Sequence, residues 1–322
     1  MKVHLPNSAH LRNIGGFLGG LDCSNPDVLD FSIHPHWVSV HPFTLALTAC
    51  VGALYRSRGG EVHVEVPDHR SVAYLIRMGL FRLLGVDPGR EITEHEASGR
   101  FIPLTQIRTT ADLKVAITDL VPLLHAPPHV ADPIRYVFSE MARNVLEHAA
   151  SPIGGFVCAQ YYAKSQRIAI GIADAGIGVK ASMSRSHPVK TDAEAIRLAL
   201  QPGVTGTTAR IGGTEFNAGA GLFFTKSIAS LSRNFFLLYS GDKAFKLLRT
   251  PQAKAPVLYA DPDMDRHTFV DAPPWRGTAV GIDVSVDQET EFARLLAAIG
   301  KAYSTDVKKR RKAYYKQIRF QR

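Results

Sequence analysis

Glu140, Asn144 and His148 follow one another at four-residue spacing, so they stack on one face if the segment is helical. Ile134, Val137, Phe138, Met141, Val145 and Ala149 form an apolar stripe at helical spacing beside them. That stripe predicts a helix from Pro133 to Ala149 and sets the polar row at the edge of a core. A carboxylate, an amide and an imidazole in that place are costly to bury without partners. An amide oxygen is a natural ligand for magnesium, which prefers oxygen donors and keeps several waters. A carboxylate one turn earlier could orient or deprotonate a nucleophile that attacks a phosphate. Alone, such residues read as a solvated helix face, and two later segments change that reading.

The first is Arg167-Ile-Ala-Ile-Gly-Ile-Ala-Asp174, an apolar strand that ends on an aspartate and continues into Gly176 and Gly178. An aspartate at a strand end can accept a hydrogen bond from an exocyclic amine such as that of adenine. The two glycines would let the backbone turn sharply and lie close against a base. The second is Gly212 to Ala229, where Gly219-Ala-Gly221 stands directly before a predicted helix. Free amides at a glycine-rich helix start form an anion site that the helix dipole favours. Neither a P-loop nor a dinucleotide fingerprint fits these spacings.

In this order, the segments resemble the GHKL (Bergerat-fold) superfamily of gyrase, MutL and histidine kinases over about residues 111–285. The resemblance implies an N box in which Asn144 binds magnesium and Glu140 acts as general base, with His148 also at the nucleotide. It implies a first glycine box, Asp174, Gly176 and Gly178, that recognises adenine. Gly219 and Gly221 would close over the phosphates, and Gly277-Thr278 would lead a strand under the nucleotide, with Thr278 touching it. Residues 180–218 would then be the ATP lid, with Gly203, Gly206, Gly212 and Gly213 suited to a loop that opens and closes. The pattern is most similar to histidine kinases and anti-sigma-factor kinases, with ATP and Mg2+ as the implied ligands. One position departs from it. Before the histidine the family often has a lysine or arginine that helps to hold phosphate, and here stands Glu147. Arg143, Lys226 and Arg210 are the candidate compensating cations.

The elements that must position these residues define three parts. Val28–Ile33 and Glu61–Val66 read as strands, and Pro42–Tyr55 as a helix. Ser71 is placed to cap a further helix that runs to Gly85. This strand–helix order is similar to a STAS domain, although Ser39-Val-His41 stands where many STAS domains carry an Asp-Ser phosphoacceptor. Thr109 opens a helix at the start of the second part. The expected organisation is a STAS-like α/β domain over 1–108, a GHKL ATP-binding domain over 109–300 and a basic tail over 301–322. The expected fold class is α+β: a GHKL sandwich, a mixed sheet with helices on one face, after a small α/β domain.

The chain has 322 residues and a formal charge of +9. From Lys301 onward, nine cations face Asp306 alone, so the tail carries +8 of that charge. No stretch reads as a signal peptide or a membrane span, and Cys23, Cys50 and Cys158 have no paired spacing. A cytoplasmic protein is expected. His34, His36 and His41 lack a matching ligand set for a metal, and Asp261, Asp263 and Asp265 read as a solvated loop. The expected function is ATP- and magnesium-dependent regulation, as an ATPase or a protein serine/threonine kinase, with a lid that couples nucleotide to a protein partner. A homodimer is among the expected assemblies, and a membrane is not an expected partner. The alternative is a non-catalytic, nucleotide-gated scaffold whose basic tail binds nucleic acid or an acidic protein.

Overall fold

The computed structural model describes residues 1–22, 25, 27–89, 101–120, 128–209, 220–285 and 292–320, without the side chains of 119–120, 128–134, 163, 292–295 and 311–320. The chain is α+β, with parallel and antiparallel sheets. Strands β1 (Lys2–Leu5), β2 (Val28–Ile33) and β3 (Glu61–Glu65) form a parallel sheet in that order. Helix α1 (Pro42–Ser57) is apolar nearly all round, and burial of almost every side chain from Pro42 to Tyr55 follows from that composition. His41 caps it, with Nδ1 accepting from Phe43 N–H at 2.9 Å.

The helix expected from Ser71 to Gly85 is two helices, α2 (Val72–Arg77) and α3 (Leu80–Leu84). Gly79 breaks it at φ 77°, a left-handed conformation that suits glycine. Ser71 precedes α2 but does not cap it with its side chain. Its hydroxyl instead accepts from Val38 N–H at 2.9 Å and bonds His69 Nδ1 at 2.8 Å, which ties two loops together.

The second sheet has five strands: β4 (Phe101–Ile107), β5 (Gly155–Tyr162), β6 (Arg167–Asp174), β7 (Phe236–Leu247) and β8 (His267–Ser285). Their spatial order is β4-β5-β6-β8-β7, and every neighbouring pair is antiparallel. The mixed sheet expected from the sequence is therefore corrected to an antiparallel one. A connection as short as residues 163–166 allows β6 only to return antiparallel to β5. Strand β4 joins this sheet although it lies within residues 1–108, and the short helix α4 (Thr110–Val115), capped by Thr109, follows it.

Helices were expected on one face of this sheet, and both faces are covered. On the first face Ile168, Ile170, Ile172, Val280 and Ile282 pack with α5 (Pro128–Asn144), α6 (Gly178–Met183), α7 (Asp192–Ala199) and α8 (Gly221–Leu231). On the second face Phe156, Cys158, Ala173, Leu237 and Ala279 share one core with α1 and the parallel sheet. A row of small residues, Cys158, Gly171 and Gly281, is in register across β5, β6 and β8. A Cβ at Gly171 would lie 2.1 Å from the backbone carbon of Pro42, so only glycine lets α1 begin there. At the same contact Asp283 accepts from His41 Nε2–H at 3.3 Å and pairs with Arg167 at 3.3 Å. With Nδ1 engaged at the cap, the His41 ring donates through Nε2, and this buried set links the N-terminal elements to the sheet.

The last helix, α9 (Phe292–Phe320), runs unbroken through Lys301, where a separate tail was expected. Ile299 and Val307 are buried on its inner side, and Tyr303 packs tilted against Phe223 and edge-on against Phe224 of α8. Lys301, Lys308 and Lys309 are exposed. No described helix is long and apolar enough to cross a membrane.

Candidate functional site

Helix α5 ends in a π-helical turn, Val145–Ala149, followed by Ala150 at φ 47°. Such turns often mark functional positions, because the extra residue re-aims the side chains around it. The α5 stripe, with Val137, Phe138, Met141 and Val145 buried, fixes which face looks outward. Glu140, Asn144 and His148 line one cavity of about 370 Å³, a size suited to a small ligand.

The floor of the cavity comes from the sheet. Asp174 ends β6, and its backbone pairs with Gly155 on one side and Thr278 on the other. Its Oδ1 accepts from Gly176 N–H at 2.8 Å and from Thr278 N–H at 3.4 Å. The hydrogen bonds found for this carboxyl among the described residues thus all fall on Oδ1. Oδ2 takes none of them, and Asp174 is among the residues that line the cavity. Burial pushes the Asp174 carboxyl up to about 7, against the two N–H donors that lower it.

Both glycines of this segment are required by the protein itself. A Cβ at Gly176 would lie 2.0 Å from the carbonyl oxygen of Ala149. Gly178 has φ 77°, and its Cβ would lie 2.4 Å from Arg276 O. Close approach to a base, the reason expected for both, is open only to Gly178, which lines the cavity. Gly176 instead lets the loop dock on the end of the α5 turn, where Ile177 N–H donates to Ala149 O at 2.7 Å. Ser240 Oγ accepts from Val179 N–H at 2.9 Å and donates to Gly277 O at 2.8 Å, which holds the start of α6 to the sheet.

The N-terminus of α8 also lines the cavity, against α5. A Cβ at Gly221 would lie 2.8 Å from Glu140 Oε2 and 3.6 Å from Asn144 Nδ2. The bare glycine brings the helix start against the two polar side chains, as a ligand bridging them would need. Gly219, with Gly212, Gly213 and Arg210, lies outside the described residues. Of the expected lid, α6, α7 and the 200–209 segment are described, and Ser182, Val204, Thr205 and Gly206 line the cavity. His187 bonds Thr205 O at 2.9 Å, and Ser186 donates to Gly206 O at 3.0 Å, so this part is folded against α6.

Burial raises the Glu140 carboxyl above the ordinary carboxylate range, with Arg143 pulling the other way. Burial lowers the His148 imidazole, which favours its neutral form, with Glu147 opposing. Arg143 stands 3.6 Å from Glu140 Oε1 and 3.8 Å from Glu147 Oε1. Lys226 cannot serve as a phosphate cation: it is fully buried, paired with Asp265, and donates to Tyr259 O at 3.1 Å. Asp265 accordingly leaves the solvated loop in which its spacing placed it. Sequence reasoning missed Tyr136, whose ring lines the cavity near Phe224. Its position one turn before Glu140 was the available signal.

Asn144 offers an amide oxygen that a hard cation could take, beside the carboxyl of Glu140 in the same cavity. Among the described residues no three His, Cys, Asp or Glu side chains converge on a metal position. A cation beside Asn144 would draw its remaining ligands from water and from the anion it accompanies, as magnesium does with nucleotides. In comparison with known proteins, no family model matches the chain, and no curated protein matches its sequence.

Proposed function

We propose that this chain is an ATP- and magnesium-binding regulatory protein of the histidine-kinase-like (GHKL) ATPase type. One observation carries the proposal: a single cavity joins Asp174, whose hydrogen bonds among the described residues all fall on Oδ1, to the Glu140–Asn144 face and the glycine start of α8. The Asp174 Oδ2 accepts from the exocyclic amine of the base, while Thr278 and Gly178 flank it. The phosphates lie toward the N-terminus of α8, where free amides and the helix dipole favour negative charge. Asn144 holds magnesium, which screens the phosphate charge. Glu140, whose carboxyl burial makes more basic, accepts a proton from water or from a partner hydroxyl. ATP hydrolysis or protein phosphorylation is the corresponding chemistry. Lid segments that touch the cavity would change a protein partner's grip when nucleotide binds.

Equilibrium dialysis of labelled ATP, with magnesium and with EDTA, tests the proposal. Saturable binding that falls in EDTA and after Asn144→Ala is the expected result. No binding to the wild type, or binding that Asn144→Ala leaves intact, would sink it. Phosphate release from wild type and Glu140→Ala then separates turnover from binding, and equal background release from both would leave binding as the role.

A further inference from the structure

We infer that Arg143 is the phosphate clamp of this site, held in reserve between Glu140 and Glu147 until an anion takes it over. The inference rests on the nucleotide reading above and names the part of the ligand that Arg143 recognises. Three carboxylates, Glu140, Glu147 and Asp174, line the cavity, and Arg143 is the one Arg or Lys among the described residues that does so. A polyphosphate entering beside those carboxylates meets repulsion unless a cation is supplied. Magnesium on Asn144 is one source of positive charge, and Arg143, the preceding residue, is a second that lines the cavity itself.

The guanidinium is half exposed and loosely paired. Its distances to Glu140 and Glu147, 3.6 and 3.8 Å, both exceed hydrogen-bonding length, and its side chain is 52% exposed. Pairs of this kind contribute little to stability, so a purely structural role gives Arg143 little to do. Phosphate oxygens, by contrast, match its planar fork of donors and form shorter, stronger bonds. Transfer of Arg143 to the phosphate also uncovers the Glu140 carboxylate beside the place where a nucleophile would lie. Glu147 therefore tunes the clamp: as Arg143's resting partner, it competes with the ligand.

Isothermal titration of Mg·ATP and of adenosine into wild type, Arg143→Ala, Glu147→Lys and the double variant tests this. Arg143→Ala should weaken Mg·ATP binding by about tenfold to a hundredfold, the worth of a charge-assisted contact, and leave adenosine binding unchanged. Glu147→Lys in the same chain should restore much of the lost ATP affinity, because it returns a cation one turn away. Urea midpoints of Arg143→Ala and wild type should agree. Unchanged ATP affinity in Arg143→Ala, or equal loss of ATP and adenosine, overturns the clamp while adenosine binding to wild type still supports the base site. Absence of both ligands from wild type overturns the nucleotide reading itself, and the clamp with it.

Discussion

Replacing Asp174 with asparagine is expected to stabilise the ligand-free protein at neutral pH and to weaken nucleotide binding. Asp174 is 4% exposed, and burial lifts its carboxyl to about 7 from the ordinary 3.8. Ionising it in place costs about 4 kcal/mol more than ionising an exposed aspartate, at about 1.4 kcal/mol for each pH unit of that displacement. The folded state holds this proton more tightly than the unfolded state does. The group's contribution to stability is therefore full below about pH 4, falls as pH rises, and is gone by about pH 7. Asparagine keeps the oxygen that accepts from Gly176 and Thr278 N–H and has no charge to bury. Urea unfolding of both proteins from pH 4 to pH 8 isolates the effect, since the other titrating groups cancel in the difference. The variant should match wild type near pH 4 and exceed it by up to about 4 kcal/mol above pH 7. Its amide N–H would meet the exocyclic amine donor to donor, so ATP affinity should drop by about tenfold or more. A stability difference that does not change with pH, or a variant less stable than wild type at pH 7.5, would refute the reasoning.

Three further outcomes follow from the packing. Gly171→Ala should cost about 1–3 kcal/mol or more, read as a lower urea midpoint, because its Cβ meets the backbone of Pro42 and not a flexible side chain. His41→Ala should cost about 2–4 kcal/mol in the same assay, since it removes the α1 cap and leaves buried Asp283 with Arg167 alone of its two partners. Gly221→Ala should leave the unfolding midpoint within about 1 kcal/mol, because Glu140 is the far end of a flexible side chain, yet weaken Mg·ATP binding several-fold by displacing that carboxylate. Titration calorimetry beside the urea curve checks both halves of the last expectation.

Several residues of the cavity were legible in the sequence because helical and strand periods fix faces, though Tyr136 was not among them. Four-residue spacing put Glu140, Asn144 and His148 on one side of α5, and the apolar run of β6 led to Asp174 at its end. Val28–Ile33, the helix from Pro42 and the strand that starts at Glu61 were legible for the same reason, whereas β1 and the break at Gly79 were not. Contacts between distant segments were not. Gly171 is simply one residue of an apolar strand in the sequence, and only the fold brings the start of α1 over it, from Pro42, 129 residues earlier. Lys226 reads as a free cation on α8 until Asp265 is brought to it from the loop before β8. His41 shows no partner in sequence, because Asp283 lies 242 residues away. Ser71 carried a capping signal that a tertiary hydrogen bond from Val38 overrides. Each of these four concerns a contact fixed by packing between distant segments, where local spacing carries no information.

The most direct measurement is a crystal structure of the chain grown with magnesium and a non-hydrolysable ATP analogue. The account predicts the exocyclic amine of adenine within hydrogen-bonding distance of Asp174 Oδ2. It also predicts magnesium on Asn144, the phosphates at the start of α8, and Arg143 turned from Glu147 to a phosphate oxygen. A nucleotide bound elsewhere, or in this cavity with its base away from Asp174, would contradict it.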